Sequence, residues 1–148
     1  MSTALVSFIA VLAALYIGLM QWRTAHYRLS LDMFDKRFKV YEGVKNITTT
    51  VIKHGIVIQK DLDELYENTR GAEFLFDGET RDFITNIRFK ALTASDARAR
   101  RQRSDNDKPN DEEENSLSFI QEQDSRLDDL FKPYLDLSKA GLKSYWPW

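Results

Sequence analysis

The chain has no cysteine. That excludes a disulfide framework, a thiolate nucleophile and any metal site built on sulfur, and it agrees with a reducing compartment. Histidine is nearly as scarce: His26 and His54 stand far apart, with no HxxxH or ExxH spacing around either, so no metal ligands converge and no cofactor is expected. With only 6 glycines there is no Gly-rich phosphate loop and no GxSxG elbow. The carboxylates are many, but no spacing singles out a pair for acid–base work. No catalytic residue is assigned, and a non-enzymatic protein is expected. A field of one sign is also missing. The formal net charge is -2, which draws in no nucleic acid over the surface as a whole.

What the sequence does have is an uncharged apolar run from Thr3 to Met20. About 20 helical residues cover the roughly 30 Å of a hydrocarbon core. Leu5, Val6, Phe8, Ile9, Val11, Leu12, Leu15, Ile17 and Leu19 each favour insertion by roughly 0.3–0.6 kcal/mol. They encircle the helix, which argues for a span and against a helix lying in the membrane surface. A cleaved signal peptide would want a basic residue before the run and a small-x-small site after it, and neither is present. Arg23, Arg28, Lys36, Arg37 and Lys39 follow closely, so the positive-inside rule puts the N-terminus outside and the following domain in the cytoplasm. Trp22, Arg23, Tyr27 and Arg28 suit the membrane interface.

The reading divides the chain into an anchor (1–22), a cytoplasmic helical domain (23–139) and an aromatic tail (140–148). About 125 residues beyond the anchor fit one domain. Its class is all-α: the anchor helix continues into a small antiparallel bundle of about four helices. No proline lies between Gln21 and Lys53, so one helix is expected to run through, ending at Lys53-His54-Gly55. On it Leu31, Phe34, Phe38, Tyr41 and Ile52 share one side, with Met33, Val40, Val44, Ile47 and Val51 beside them. This predicts a central strut touching two neighbours. A second helix is expected from Asp61, with Asp61 as cap and Glu64 closing a capping box, ending at Gly71. A third, capped by Asp77, spans about Gly78 to Arg103 and buries Phe83, Ile84, Ile87, Ala91 and Ala94. SDNDKPN, from Ser104 to Asn110, reads as a turn or loop. The fourth starts in Asp111 to Glu114, turns Leu117, Ile120, Leu127, Leu130, Phe131 and Tyr134 inward, and is ended or kinked by Pro133 near Lys132.

Three features bear on partners. Arg37 projects onto the apolar half of the first helix and needs a partner there. An ion pair with a carboxylate of another helix is expected. Arg98, Arg100, Arg101 and Arg103 form the densest basic patch, a candidate for an anionic partner, but Asp111 to Glu114 follow as a local counter-charge. If successive helices alternate in direction, the last returns towards the bilayer and brings Tyr145, Trp146 and Trp148 to the interface, or onto the domain or a partner.

The stretch from Leu29 to Glu42, LSLDMFDKRFKVYE, follows the apolar run and QWR. It resembles a widespread group of uncharacterised small bacterial membrane proteins whose pattern reads LxLDLFDxRFxVYE; Met33 replaces their leucine. The later Glu73-Phe74-Leu75-Phe76 is similar to the same group. The resemblance implies a bacterial source, a single anchor in the inner membrane and a helical cytoplasmic domain; it brings no activity and no catalytic residue.

Together these features point to a membrane-anchored interaction protein, an accessory subunit of a membrane assembly or a tethered adaptor. Its partners would be the lipid bilayer and a membrane protein or a second copy. The alternative is a tethered sensor or effector that binds a small ligand or lipid between its helices. Nucleic-acid binding through Arg98 to Arg103 ranks third.

Overall fold

A computed structural model of the chain describes residues 2–103 and 111–136, with side chains from residue 7 onward. The turn expected at 104–110 and the tail residues Tyr145, Trp146 and Trp148 lie outside the described residues. Among the described residues the structure is all-helical, with no strand: α1 (Ser2–His54), α2 (Gln59–Asn68), a 3-10 turn (Ala72–Phe74), α3 (Gly78–Arg103), α4 (Asp111–Glu122) and α5 (Asp124–Leu135).

With no breaker before Gly55, α1 runs unbroken for 53 residues, about 80 Å at the rise of an α-helix. Gly55 stops it in the left-handed conformation at φ 64°, and its N–H bonds back to the Val51 carbonyl at 2.8 Å. The N-terminal part of α1 is long and apolar enough to cross a membrane, and none of its best apolar window is covered by the rest of the chain. The C-terminal part is the centre of the bundle. Val40, Val44, Ile47 and Val51 are at most 3% exposed, whereas Phe38 and Ile52 on the flank are 39% and 48% exposed. The buried stripe is therefore rotated towards the valines, and α1 packs against α2, α5, α4 and more lightly α3, where two neighbours were expected.

α2 runs back along α1. Its first residue is Gln59, two positions before the expected start: Ile58 occupies the cap position and Asp61 sits at the third helical residue. The Asp61 carboxylate accepts a hydrogen bond from the Ile58 N–H at 3.0 Å, so Asp61 acts as the back-reaching half of the box and not as the cap. Glu64 turns instead to α1, where it accepts a hydrogen bond from Asn46 at 3.2 Å.

α3 keeps the expected bounds and buries the expected face, with Ala97 added to it. Asp77 caps it: the Thr80 N–H donates to the Asp77 carboxylate at 3.1 Å, and that bond is the main reason the carboxyl is held below its usual range. Because the shift is downward, the stabilisation is present above the ordinary aspartate range and is lost as pH falls through the folded value. Asp77→Ala is expected to lower the melting temperature at neutral pH and Asp77→Asn to lower it much less, since asparagine caps as well. At a pH where Asp77 is protonated the parent protein should lose most of its advantage over Asp77→Ala in thermal melts.

The expected fourth helix is two. It breaks at Gln123, where the Gln123 N–H reaches the Ile120 carbonyl and the Arg126 N–H reaches the Gln123 carbonyl. α4 packs chiefly on α3 and α5 on α1, and the chain changes direction between those two tracks. Pro133 does not end α5. It sits in the last turn and the helix continues to Leu135. Ile120, Leu127 and Phe131 are fully buried and Leu117, Leu130 and Tyr134 half-buried.

Candidate functional site

The residues expected at a membrane interface lie along the part of α1 that no other described element touches: Trp22, Arg23, Tyr27 and Arg28 are all exposed. Trp22 and His26, one helical turn apart, stack at 5.8 Å. From Trp22 to Arg37, where the bundle begins, α1 advances about 22 Å. This neck, exposed from Trp22 to Leu29, separates the apolar segment from the helical domain.

At the upper end of the neck the stretch from Leu29 to Glu42 meets the segment Glu73-Phe74-Leu75-Phe76. Arg37 is half-buried, as its helical position required, but its partner is not a carboxylate. Its Nε donates to the Leu75 carbonyl at 3.2 Å, and its guanidinium lies 5.4 Å from the centre of the Tyr134 ring. The 3-10 turn leaves the Leu75 carbonyl pointing out of any helix, and a guanidinium meets that need while keeping some contact with water. A ladder of rings continues from there. Phe34 stacks on Phe38 at 5.9 Å, Phe38 meets Tyr41 at 6.0 Å, Tyr41 meets Phe131 at 5.6 Å, and Phe76 packs edge-on against Phe131 and Tyr134 at 5.1 and 5.0 Å. Such pairs add about 0.5–1.5 kcal/mol each beyond area burial. Arg37 and these rings therefore join α1, the turn at Leu75 and α5.

One turn further along, α1 and α5 are tied by a polar network. Lys45 Nζ lies 2.9 Å from Asp124 and 3.6 Å from Asp128. Tyr41 donates to Asp128 at 3.0 Å. The Thr48 hydroxyl is 3.0 Å from both Asp124 and the Lys45 carbonyl, so its single proton serves one at a time. Lys45 escaped sequence reasoning because it borders a mainly apolar face. The signal was there in pairs: Tyr41 and Lys45, and Asp124 and Asp128, each stand four apart on one helix.

The Asp124 hydrogen bond, with the charges of both aspartates, holds the Lys45 ammonium above its usual range. Burial, then the hydrogen bond to Asp128, pushes the Tyr41 phenol up. Both groups hold their protons more tightly when folded, so this stabilisation is present below about pH 10 and is lost as pH rises through the folded values. Lys45→Met is expected to cost less than about 1 kcal/mol at pH 7, since both partners are about a third exposed. It should also flatten the fall of the melting temperature above pH 10. A parent and variant that fall in parallel would disprove the linkage.

The basic patch is met by its own neighbours. Arg100 pairs with Glu112 at 2.7 Å, and Arg101 approaches Glu113 at 3.5 Å with 18% and 4% of their side chains exposed. Arg98 is half-buried and Arg103 exposed. The pairing staples α3 to α4 at the end of the bundle far from the neck. Among the described residues no group of three or more His, Cys, Asp or Glu side chains is placed to hold a metal. The cleft between α1 and α2, beside Gly43, Asn46 and Glu64, holds about 20 Å³, the room of about one water. No protein-family model, curated protein or solved structure matches the chain.

Proposed function

We propose that this is a bacterial inner-membrane protein: a single span holds a helical domain on the cytoplasmic side, as an accessory subunit of a membrane assembly or a tethered adaptor. One observation carries the reading. The apolar half of α1 covers no core of its own, with Phe8, Leu12, Leu15 and Leu19 each more than half exposed, while the same unbroken helix forms the centre of the bundle. Apolar surface on that scale needs lipid or protein around it. A helix shared by anchor and core fixes the domain to the membrane without a flexible linker, which suits a part that must be presented in one place. The basic residues after the span support the cytoplasmic side.

Purification of the tagged chain from native membranes in mild detergent tests this. The expected result is extraction by detergent but not by high salt, with a co-purifying membrane protein at fixed ratio. Release by salt alone would overturn the anchor, and a lone monomer in the detergent extract would overturn the subunit reading.

A further inference from the structure

Where the apolar run gives way to the neck, the surface of α1 carries a groove of about 670 Å³. Its chemistry changes in order along the helix. Tyr16, Ile17 and Met20 line the end inside the apolar run, the small side chains of Thr24 and Ala25 leave the hollow beside them, and Arg28 stands further along. All six are exposed. The charge there has one sign: Arg23 and Arg28 follow the run, and no aspartate or glutamate precedes Asp32 in the sequence. An apolar end, a hollow and a cation in that order match the parts of a phospholipid, from acyl chain to phosphate.

We propose that this groove seats an anionic glycerophospholipid of the leaflet on the bundle's side, with an acyl chain along Tyr16, Ile17 and Met20 and the phosphate at Arg28. The site rests on the anchor reading, and the depths agree with it. With the hydrocarbon edge at Met20, the Arg28 backbone stands about 12 Å above that edge. The headgroup layer is about 5–7 Å thick. Side chains on a helix lean towards its N-terminus, which here means towards the bilayer, so the long Arg28 side chain brings its guanidinium down to phosphate level. There its planar fork can hold a phosphate through two parallel N–H···O bonds. Asp32, at the upper end of the groove, stands about 6 Å further out on the helix, clear of the headgroup layer. A second copy is the poorer occupant. Two chains with one span each would lie parallel, and Arg28 would face Arg28 at the same height, a juxtaposition of like charges.

Native mass spectrometry of the full chain in detergent, titrated with phosphatidylglycerol and phosphatidylcholine at equal concentration, tests this. The expected result is one retained phosphatidylglycerol per chain, favoured over phosphatidylcholine by about fivefold, the contribution of one arginine at an anionic surface. Arg28→Gln should remove the preference. Ala25→Leu should remove it too, because it fills the hollow while leaving every charge in place, and leucine keeps the helix. Arg23→Gln, about 140° round α1 from Arg28, should keep most of it. Equal retention of the two lipids, or a preference that survives Ala25→Leu, would overturn the proposal. A preference lost as fully in Arg23→Gln as in Arg28→Gln would overturn it in favour of diffuse attraction to a cationic neck. The anchor reading fails separately: a chain that stays soluble without detergent would overturn the span and this site with it, whereas a detergent-dependent chain with no lipid preference would overturn the site alone.

Discussion

Phe131→Ala is expected to lower the unfolding free energy of the helical domain by about 3–5 kcal/mol, a large part of what a domain this size has to spare. Phe131 is the largest of the fully buried side chains. Its ring touches Tyr41 of α1 and Phe76 after the 3-10 turn, so three elements meet on it. Truncation leaves a cavity that the surrounding rings cannot close without giving up their own contacts, and the cost is the lost transfer energy plus the void. Leucine at the same position keeps much of the volume and should cost about half as much. Urea unfolding of the detergent-solubilised protein, followed by far-UV circular dichroism, measures both. A loss below about 1 kcal/mol for the alanine variant would mean that α5 is not held by this ring.

Gly43→Ala carries the second large effect, and its sign is the informative part. Glycine inside a helix is normally worse than alanine by roughly 0.5–1 kcal/mol, so the substitution ought to stabilise α1. Here a Cβ at position 43 would stand 2.6 Å from the Cβ of Asn68 on α2. That neighbour is the root of a side chain and not its flexible end, so α2 itself must move. The expected net result is a destabilisation of about 1–3 kcal/mol, as for other overpacked sites. Pairing it with Asn68→Gly removes the opposing atom. The double variant should therefore lose less than the sum of the two single changes, a coupling that a double-mutant cycle reads directly. Additive losses would show that α1 and α2 do not approach here as closely as the structure has them.

Both variants test packing near the motif-like stretch, and they bear on function through the neck. Phe131 holds α5 against α1 through Tyr41. Loss of a co-purifying partner in Phe131→Ala, with membrane association intact, would place the partner contact on the domain and leave the span as anchor alone.

Residue order was enough to read α1 as one helix from the apolar run to His54, because no proline interrupts it and the first strong stop signal is Gly55 after Lys53 and His54. The bounds of α3 were equally legible: an aspartate caps it, its apolar residues keep the helical period and arginines close it. Such signals act within a few residues, so they survive without any knowledge of the fold. The same is true of the acidic start of α4 and of the apolar character of the segment proposed as the anchor.

Contacts between distant parts of the chain decided the rest. Nothing local at Gln123 marks a break; it arises because α4 follows α3 while α5 follows α1, with Asp124 drawn to Lys45 and Thr48. Arg37 advertised its need for a partner, but a carbonyl freed by a 3-10 turn and a tyrosine ring from α5 met it, and neither is visible from the residues near Arg37. At Gly43 a Cβ would stand 2.6 Å from the Cβ of Asn68 on α2, an approach that no residue near Gly43 in the sequence marks. Local propensity and periodicity thus set which segments are helices and which faces are apolar. Tertiary packing alone chose the partners across those faces, because the helices must share one core and each contact depends on where the others already stand.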